Sequence, residues 1–308
     1  MKSILTICIP TYNRSEYLKI CLNSIKSNIY GIEDYVEIYV SDNNSNDDTE
    51  LVVDSFINTG MKIYYNKHKQ NIGTELNFIS LYEKVNTKYF WILCDDDFIL
   101  PNKLLNIINI LKKDDYGLIY MNQIWYDNIH DIKNNFNKFE TVEIKDHIDF
   151  ITKINYWITF LSGIIVNKSI IDKELNHSQY NGTMLNYLIW FLPNIFKSPK
   201  NLIIKSVCLG CKANNTGGYM LYRVFGKNFN FILKDMINKK IISEKCIDII
   251  NNSLLNDFFP KFINDNNSKF YKENYILTLL PDFWTYKMFW KNIVLKSVLN
   301  SLNIRYVN

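Results

Sequence analysis

The chain has 308 residues, a formal charge of +4, and 21 Tyr, 19 Phe and 6 Trp. That length supports one large core or two modest ones, the apolar share excludes a disordered polypeptide, and so weak a charge gives no argument for nucleic acid as a partner. No apolar run reaches the roughly 18 to 20 residues of a membrane span, no leader segment is evident, and six scattered cysteines fit buried thiols in a reducing compartment, so the chain reads as cytoplasmic.

Ile4–Ile9 is a first buried strand, stopped by Pro10. The loop Thr11-Tyr12-Asn13-Arg14 follows, and Asn13 lies three residues before Glu16, a capping-box spacing. Leu18, Cys21, Leu22 and Ile25 then share one helix face. Val36–Val40 is a second strand that runs into the polar cluster Ser41–Thr49, turn chemistry ahead of a helix from about Asp48 to Asn58. Lys62–Tyr65 is a third strand. Asn71-Ile72-Gly73-Thr74 opens the next helix, with Thr74 as its cap and Leu76, Phe78, Ile79 and Leu81 among its apolar residues.

Tyr89-Phe90-Trp91-Ile92-Leu93-Cys94 is apolar without alternation, as in a strand covered on both faces, and it ends in Asp95-Asp96-Asp97. Adjacent carboxylates repel and suit a strand poorly, so they belong where the strand has stopped. Two readings fit them. Carboxylates are hard ligands for Mg²⁺ or Mn²⁺; equally, Asp97 can cap a helix starting near Pro101. A helix over Leu104–Leu111 and a strand at Leu118–Tyr120 follow.

Strand and helix alternate with short connections up to this point, which predicts an α/β fold with a parallel sheet and right-handed crossovers. The polar clusters Thr11–Arg14, Ser41–Asp48 and Asp95–Asp97 then gather at the edge where such sheets bind ligands. Residues 127–145 read as a long loop, Asp146 caps a helix to Ile154, Phe160–Val166 is a strand and Thr183–Phe196 an aromatic-rich helix. Leu202–Ile204 is a short strand. Cys208-Leu209-Gly210-Cys211 is a C-x-x-C without the second pair that zinc wants. From Leu221 the chain reads as helical, broken at Pro260 and Pro281. Residues 1–215 are expected to form a nucleotide-binding catalytic domain and residues 216–308 a helical region.

Pro10-Thr11-Tyr12-Asn13-Arg14, Val40–Asp47, Asn71-Ile72-Gly73 and the triple Asp stand in the order and spacing of family 2 glycosyltransferases, and residues 1–125 resemble that family. Ser162–Lys168 and Asn214–Tyr219 resemble a bacterial subgroup that includes abequosyltransferase-like enzymes of surface polysaccharide (lipopolysaccharide, capsule) synthesis. The resemblance implies a GT-A fold, a Rossmann-like and mostly parallel sheet flanked by helices, and an inverting transfer from a nucleotide-diphosphate sugar donor to a glycan or polyprenyl-linked acceptor. It implies that Pro10, Thr11, Tyr12, Asn13, Arg14 and Gly73 lie along the nucleotide. In its terms Asp42 receives an N–H of the base, and Asp95, Asp96 and Asp97 form the D-x-D-type element, with Asp95 and Asp96 toward the ribose and diphosphate and Asp95 and Asp97 toward Mn²⁺ or Mg²⁺; the division of roles stays open, because Cys94 stands where many relatives have their first Asp. Ser45, Asp47 and Gly73 also fit plain turn-shaping roles.

Relatives carry an acid, the general base, where this chain has Tyr180-Asn181-Gly182-Thr183. The base is therefore open among Asp127, Asp172, Glu174 and His177. A sugar nucleotidyltransferase on a similar sheet calls for a Gly-rich phosphate loop after the first strand, which Pro10–Asn13 is not. A non-catalytic carbohydrate-binding protein with a decayed site is the other alternative. Finally, the segment from Phe283 to Arg305 has four basic residues and no acid among its aromatics, which fits peripheral contact of residues 283–308 with the inner face of the plasma membrane, or packing against a second subunit.

Overall fold

The computed structural model describes residues 3–128, 132, 136, 138–213, 218–263 and 270–301. One sheet carries strands β1 Leu5–Thr11, β2 Val36–Asp42, β3 Ile63–Lys67, β4 Tyr89–Ile92, β5 Asp97–Ile99, β6 Leu118–Tyr126, β7 Thr141–Ile144, β8 Ile164–Asn167 and β9 Asn201–Lys212. Their order is β3-β2-β1-β4-β8-β6-β9-β5, with β7 also on β9. The half β3-β2-β1-β4 is wholly parallel; β8, β5 and β7 enter the other half antiparallel.

The apolar run in β4 has a simple cause. Tyr89, Trp91 and Leu93 belong to the core that also holds Leu18, Cys21 and Leu22 of α1 (Ser15–Asn28) and Leu104, Ile107 and Ile108 of α4 (Lys103–Lys113). Phe90 faces the other way, edge-on to Tyr82 of α3 (Thr74–Lys84) and Trp190 of α6 (Leu188–Lys197). Successive strand residues alternate faces, so a strand between two helical layers must be apolar throughout. Helix α2, Thr49–Asn58, adds Val53 and Phe56 to the first layer.

Two compact units emerge: residues 1–147, 160–182 and 186–213, and residues 148–159, 183–185 and 214–308. The second therefore includes 148–159 and 183–185, which the sequence reading assigns to the first. Beyond α5 (His147–Ile154) its described residues include helices α7 Phe229–Asn238, α8 Lys245–Ser253, α9 Tyr275–Phe283 and α10 Lys296–Ser301, with π-helical and 3₁₀ turns among them.

Several boundaries differ from the sequence reading. Asn13 does not cap α1; it is left-handed (φ 52°) and its Oδ1 accepts from Asn46 N. Thr74 is the first residue of α3 and Gly73, at φ 84°, its cap. The triple Asp is not a helix start: Asp97 begins β5, and α4 begins only at Lys103 after left-handed Asn102. Strands β6 and β9 run far past Tyr120 and Ile204 because each is the other's parallel partner, and β7 emerges from the expected 127–145 loop because β9 offers it a free ladder. Leu161–Gly163 is a 3₁₀ turn, so β8 starts at Ile164. Met184, at φ 63°, delays α6 to Leu188. Pro281 lies inside α9; the carbonyl that loses its donor is that of solvent-exposed Leu277. Residues 214–217 of the Asn214–Tyr219 loop lie outside the described residues.

Candidate active site

Register brings the polar loops together. In the β1–β2 ladder Thr11 is the partner of Asp42, and Leu93 N donates to Cys8 O, so the chain beyond β4 runs beside Pro10 and Thr11. Asn43 N donates to Thr11 O, Asn13 N to Ser45 Oγ (2.8 Å) and Ser15 N to Asp47 Oδ2 (2.8 Å). Burial raises the Asp47 pKa, but bonds from Thr49 and Ser15 outweigh it and the carboxyl ends below its usual range. Asn71 and Asn43 tie α3 to the same edge: Asn43 Nδ2 donates to Asn71 Oδ1 (3.0 Å) and Ile72 N to Asn43 Oδ1 (2.9 Å). A Cβ on Gly73 meets nothing within 4 Å, so its backbone conformation alone demands glycine.

At this edge Arg14 Nη1 donates to Asp95 Oδ1 and Asp96 Oδ2, both at 3.1 Å. Burial alone depresses the guanidinium pKa, but Asp95 and Asp96 more than reverse that and hold it above its ordinary value. The carboxylates are only 4–6% exposed. Burial, then repulsion from Asp96, raises Asp95 to about 6 against the pull of Arg14. The same two causes raise Asp97 to about 7 despite bonds from the Ser162 hydroxyl, the Cys211 thiol and Lys212 N–H. Three buried carboxylates thus crowd more negative charge than the protein neutralises at this point, and two of them hold protons far more tightly than a free Asp.

A hard divalent cation fits that donor set. Cys94 Sγ and carboxylate oxygens of Asp96 and Asp97 all lie within 4.8 Å of one another. The carboxylates grouped closely enough to share an ion are those of Asp96 and Asp97, rather than the expected Asp95 and Asp97, and Arg14 holds both Asp95 and Asp96. Burial and the neighbouring Asp carboxylates keep Cys94 a protonated thiol, a poor ligand for Mg²⁺ or Mn²⁺. The buried Thr11 hydroxyl lies beside Asp95, where it lowers that carboxyl's pKa, though without a hydrogen bond of good geometry.

Asp42 has no exposed surface. Its Oδ1 accepts from Ser45 N (2.7 Å) and its Oδ2 from Tyr65 Oη (2.7 Å). As folded it orders the loop, with each carboxyl oxygen already accepting a hydrogen bond. Tyr12, by contrast, is 42% exposed, and Pro10 is half-buried.

The base candidates separate cleanly. Asp127 follows the end of β6 and is exposed; its carbonyl accepts from Lys212 Nζ, and the adjacent Tyr126 Oη donates to Asp96 O (3.2 Å). Asp172 and Glu174 are exposed in one turn, where Glu174 N donates to Asp172 Oδ1. Neighbouring Lys168 and Lys173 line a cavity with Ser3 and Lys88, at the start of β1 and β4, the opposite edge of the sheet. His177 packs against Tyr82, in the last turn of α3, and accepts Trp190 Nε1–H on Nδ1 (3.0 Å). Tryptophan only donates, so neutral His177 carries its proton on Nε2 and has no lone pair to offer as a base there. Burial, with Lys168 nearby, pushes its pKa down. His177 thus has its Nδ1 engaged by Trp190, and Asp172 and Glu174 flank Lys173 of the cavity at the opposite edge of the sheet.

Sequence reasoning missed what braces the carboxylates. Ser162 Oγ accepts from Cys94 N (3.0 Å) while its hydroxyl serves Asp97, and Trp91 Nε1 holds Ser162 O (2.7 Å). Cys211 pairs with Asp97 in the β5–β9 ladder. Ser162 and Cys211 each fall in a motif of the sequence, but nothing local assigns them to the carboxylates: Cys211 reaches Asp97 through strand pairing, and Ser162 from the turn before β8. Cys208 and Cys211 are buried free thiols of β9 rather than a ligand pair.

The model of the glycosyl transferase family 2 domain matches residues 6–173. The abequosyltransferase RfbV of Salmonella typhimurium is 28% identical over 234 residues, 69% of this chain and 67% of that protein. An uncharacterized glycosyltransferase of Rickettsia typhi is 34% identical over 111 residues; the match spans 36% of this chain and about a third, 32%, of the relative. Among solved structures, S. aureus TarS 1–349 in complex with UDP-GlcNAc covers 100% of this chain and 93% of its own at a TM-score of 0.62 and 13% identity. The fold is shared with that transferase.

Proposed function

Because the chain belongs to glycosyl transferase family 2, and is a glycosyltransferase on that ground, we propose that it moves a sugar from a nucleoside-diphosphate donor to a hydroxyl of a glycan or polyprenyl-linked acceptor. The transfer is metal-dependent and inverting, and it serves bacterial surface polysaccharide synthesis on the cytoplasmic side of the membrane. The observation that carries this reading is the cluster at the sheet edge: Asp95, Asp96 and Asp97 crowded together, clamped on one side by Arg14, with the buried Thr11 hydroxyl beside Asp95. The similarity to an abequosyltransferase supports a sugar nucleotide as donor.

In this reading Thr11 donates its hydroxyl to the nucleotide, and the base displaces the Tyr65 hydroxyl to reach Asp42. Arg14 keeps Asp95 turned toward the ribose. Asp96 and Asp97 hold Mn²⁺ or Mg²⁺, which when bound offsets the charge that develops on the departing diphosphate. Ser162 and Lys212 N–H fix the Asp97 carboxyl group so that it does not reorient during transfer. Asp127 takes the acceptor proton; its place beside Tyr126 supports it over the other candidates.

The test is thermal shift with UDP, GDP, CDP and dTDP, with and without Mn²⁺, on the wild type and Asp97→Ala. One nucleotide at a hundredfold its dissociation constant stabilises by about 2.7 kcal/mol, or about 5 °C for a chain of this size. The expected result is a shift from one nucleotide, larger with Mn²⁺, and lost in Asp97→Ala. No shift from any nucleotide under any condition overturns the reading.

A further inference from the structure

We infer that the outward face of the segment from Trp284 to Val298 docks on the surface of an anionic lipid bilayer. After α9 the chain continues through a π-helical turn, Phe289–Leu295, into a last short helix. Its inward side is fully buried: Phe283, Phe289 and Ile293 show no exposed surface. The outward side is unusual for a protein surface. Trp284 is 60% exposed, Trp290 49%, Leu295 43% and Val298 47%, with exposed Lys287 and Lys291 between them.

Positions 287, 291, 295 and 298 follow one another at three- and four-residue steps through the π-helical turn and the helical residues on either side of it, and Trp284 stands in the turn before them. Trp290 is tied to the start of this segment by its Nε1, which donates to the backbone carbonyl of Trp284 (2.8 Å). No acid occurs from 283 to 301. The nearest, Asp282, is largely buried and ion-paired with Lys234 (2.5 Å). Tyr286 Oη donates to the carboxylate of exposed Asp248 (2.6 Å), an acid beside this segment from another helix, and Lys296 Nζ is held by Pro260 O.

Charge and composition select the occupant. The centre of a protein–protein interface is depleted of lysine, whereas here lysines interleave with the apolar residues. Indoles seat at the headgroup layer and lysines meet anionic headgroups, the pattern of an interfacial segment lying in the membrane plane. Among the described residues no helix is long and apolar enough to cross a membrane, which leaves surface contact. The inference rests on the proposed lipid-linked acceptor for its purpose, but docking needs no donor and is read without turnover.

The test is sedimentation of the full chain with vesicles of phosphatidylcholine alone or mixed with phosphatidylglycerol. Expected is binding to the anionic vesicles that weakens with added salt. Trp284→Ala with Trp290→Ala costs roughly tenfold or more in partition, and Lys287→Gln and Lys291→Gln about fivefold each, while the nucleotide-dependent thermal shift is unchanged in all three. Equal binding to neutral and anionic vesicles, no binding to either, or full binding by the tryptophan variant overturns the inference. So does a tryptophan variant that dissociates a dimer without changing vesicle partition, which assigns the face to a second copy instead. Lipid binding without any nucleotide shift refutes the transferase reading and leaves the surface intact.

Discussion

Replacing Asp97 with Asn separates the cost of burying a charge from its use. The Asp97 carboxyl rises from 3.8 to about 7, which corresponds to a penalty of about 4 kcal/mol on the ionised form at about 1.4 kcal/mol for each tenfold in proton affinity. The sign follows from linkage: between 3.8 and 7 the folded state binds the proton and the unfolded state does not, so stability falls as pH rises through that window. Asn is close in shape to the protonated acid. Below pH 3.8, where the carboxyl is protonated in both states, Asp97→Asn and wild type should therefore unfold at nearly the same temperature, and by pH 5 the variant should already lead by roughly 1 kcal/mol. At pH 8 the variant should be the more stable by about 2 kcal/mol, half the full figure, because Asp95 and Asp96 share the relief. Metal-free melts from below pH 3.8 up to pH 8 measure this directly. In the same series Mn²⁺ should stabilise wild type more at pH 8 than at pH 5, since the cation competes with the proton, and should leave the variant unmoved. A stability difference that does not grow with pH, or a variant that keeps the Mn²⁺ effect, refutes the reasoning.

Arg14→Ala removes a counter-charge from Asp95 and Asp96, and urea denaturation should show a loss of about 1–3 kcal/mol at pH 8. The loss shrinks at pH 5, below the raised Asp95 value of about 6, where that carboxyl is already neutral. His177→Phe strands the Trp190 N–H and should cost about 1–3 kcal/mol in stability while kcat stays within about twofold of wild type; a fall of tenfold or more restores His177 as a catalytic group. Asp127→Asn should lower kcat by about 10²–10⁴-fold with the nucleotide shift intact, and unchanged turnover would move the base elsewhere.

The loops of the site were legible because their chemistry is local. Asp, Asn and Ser clusters at strand ends need no partner to be read as turns, and four such motifs in order carried the family resemblance. Cys94, Ser162 and Cys211 were not legible as a group. They stand in different parts of the chain, and only the β4–β8 and β5–β9 pairings bring them to Asp97. His177 looked suitable because its ordinary pKa suits a base; that Trp190 occupies its Nδ1 is a fact of packing between α6 and the turn before it.

By itself the sequence determined the parallel half of the sheet, since unbroken apolar strands alternating with amphipathic helices admit few other arrangements. It also determined that three polar loops meet at one edge. The tertiary structure decided how far β6 and β9 extend, because a strand lasts as long as a neighbour supplies hydrogen bonds, whatever its own residues prefer. It also decided which carboxylate faces Arg14 and which faces its neighbours. Three identical side chains in a row are indistinguishable in sequence, and only burial and the placement of counter-charges make them different.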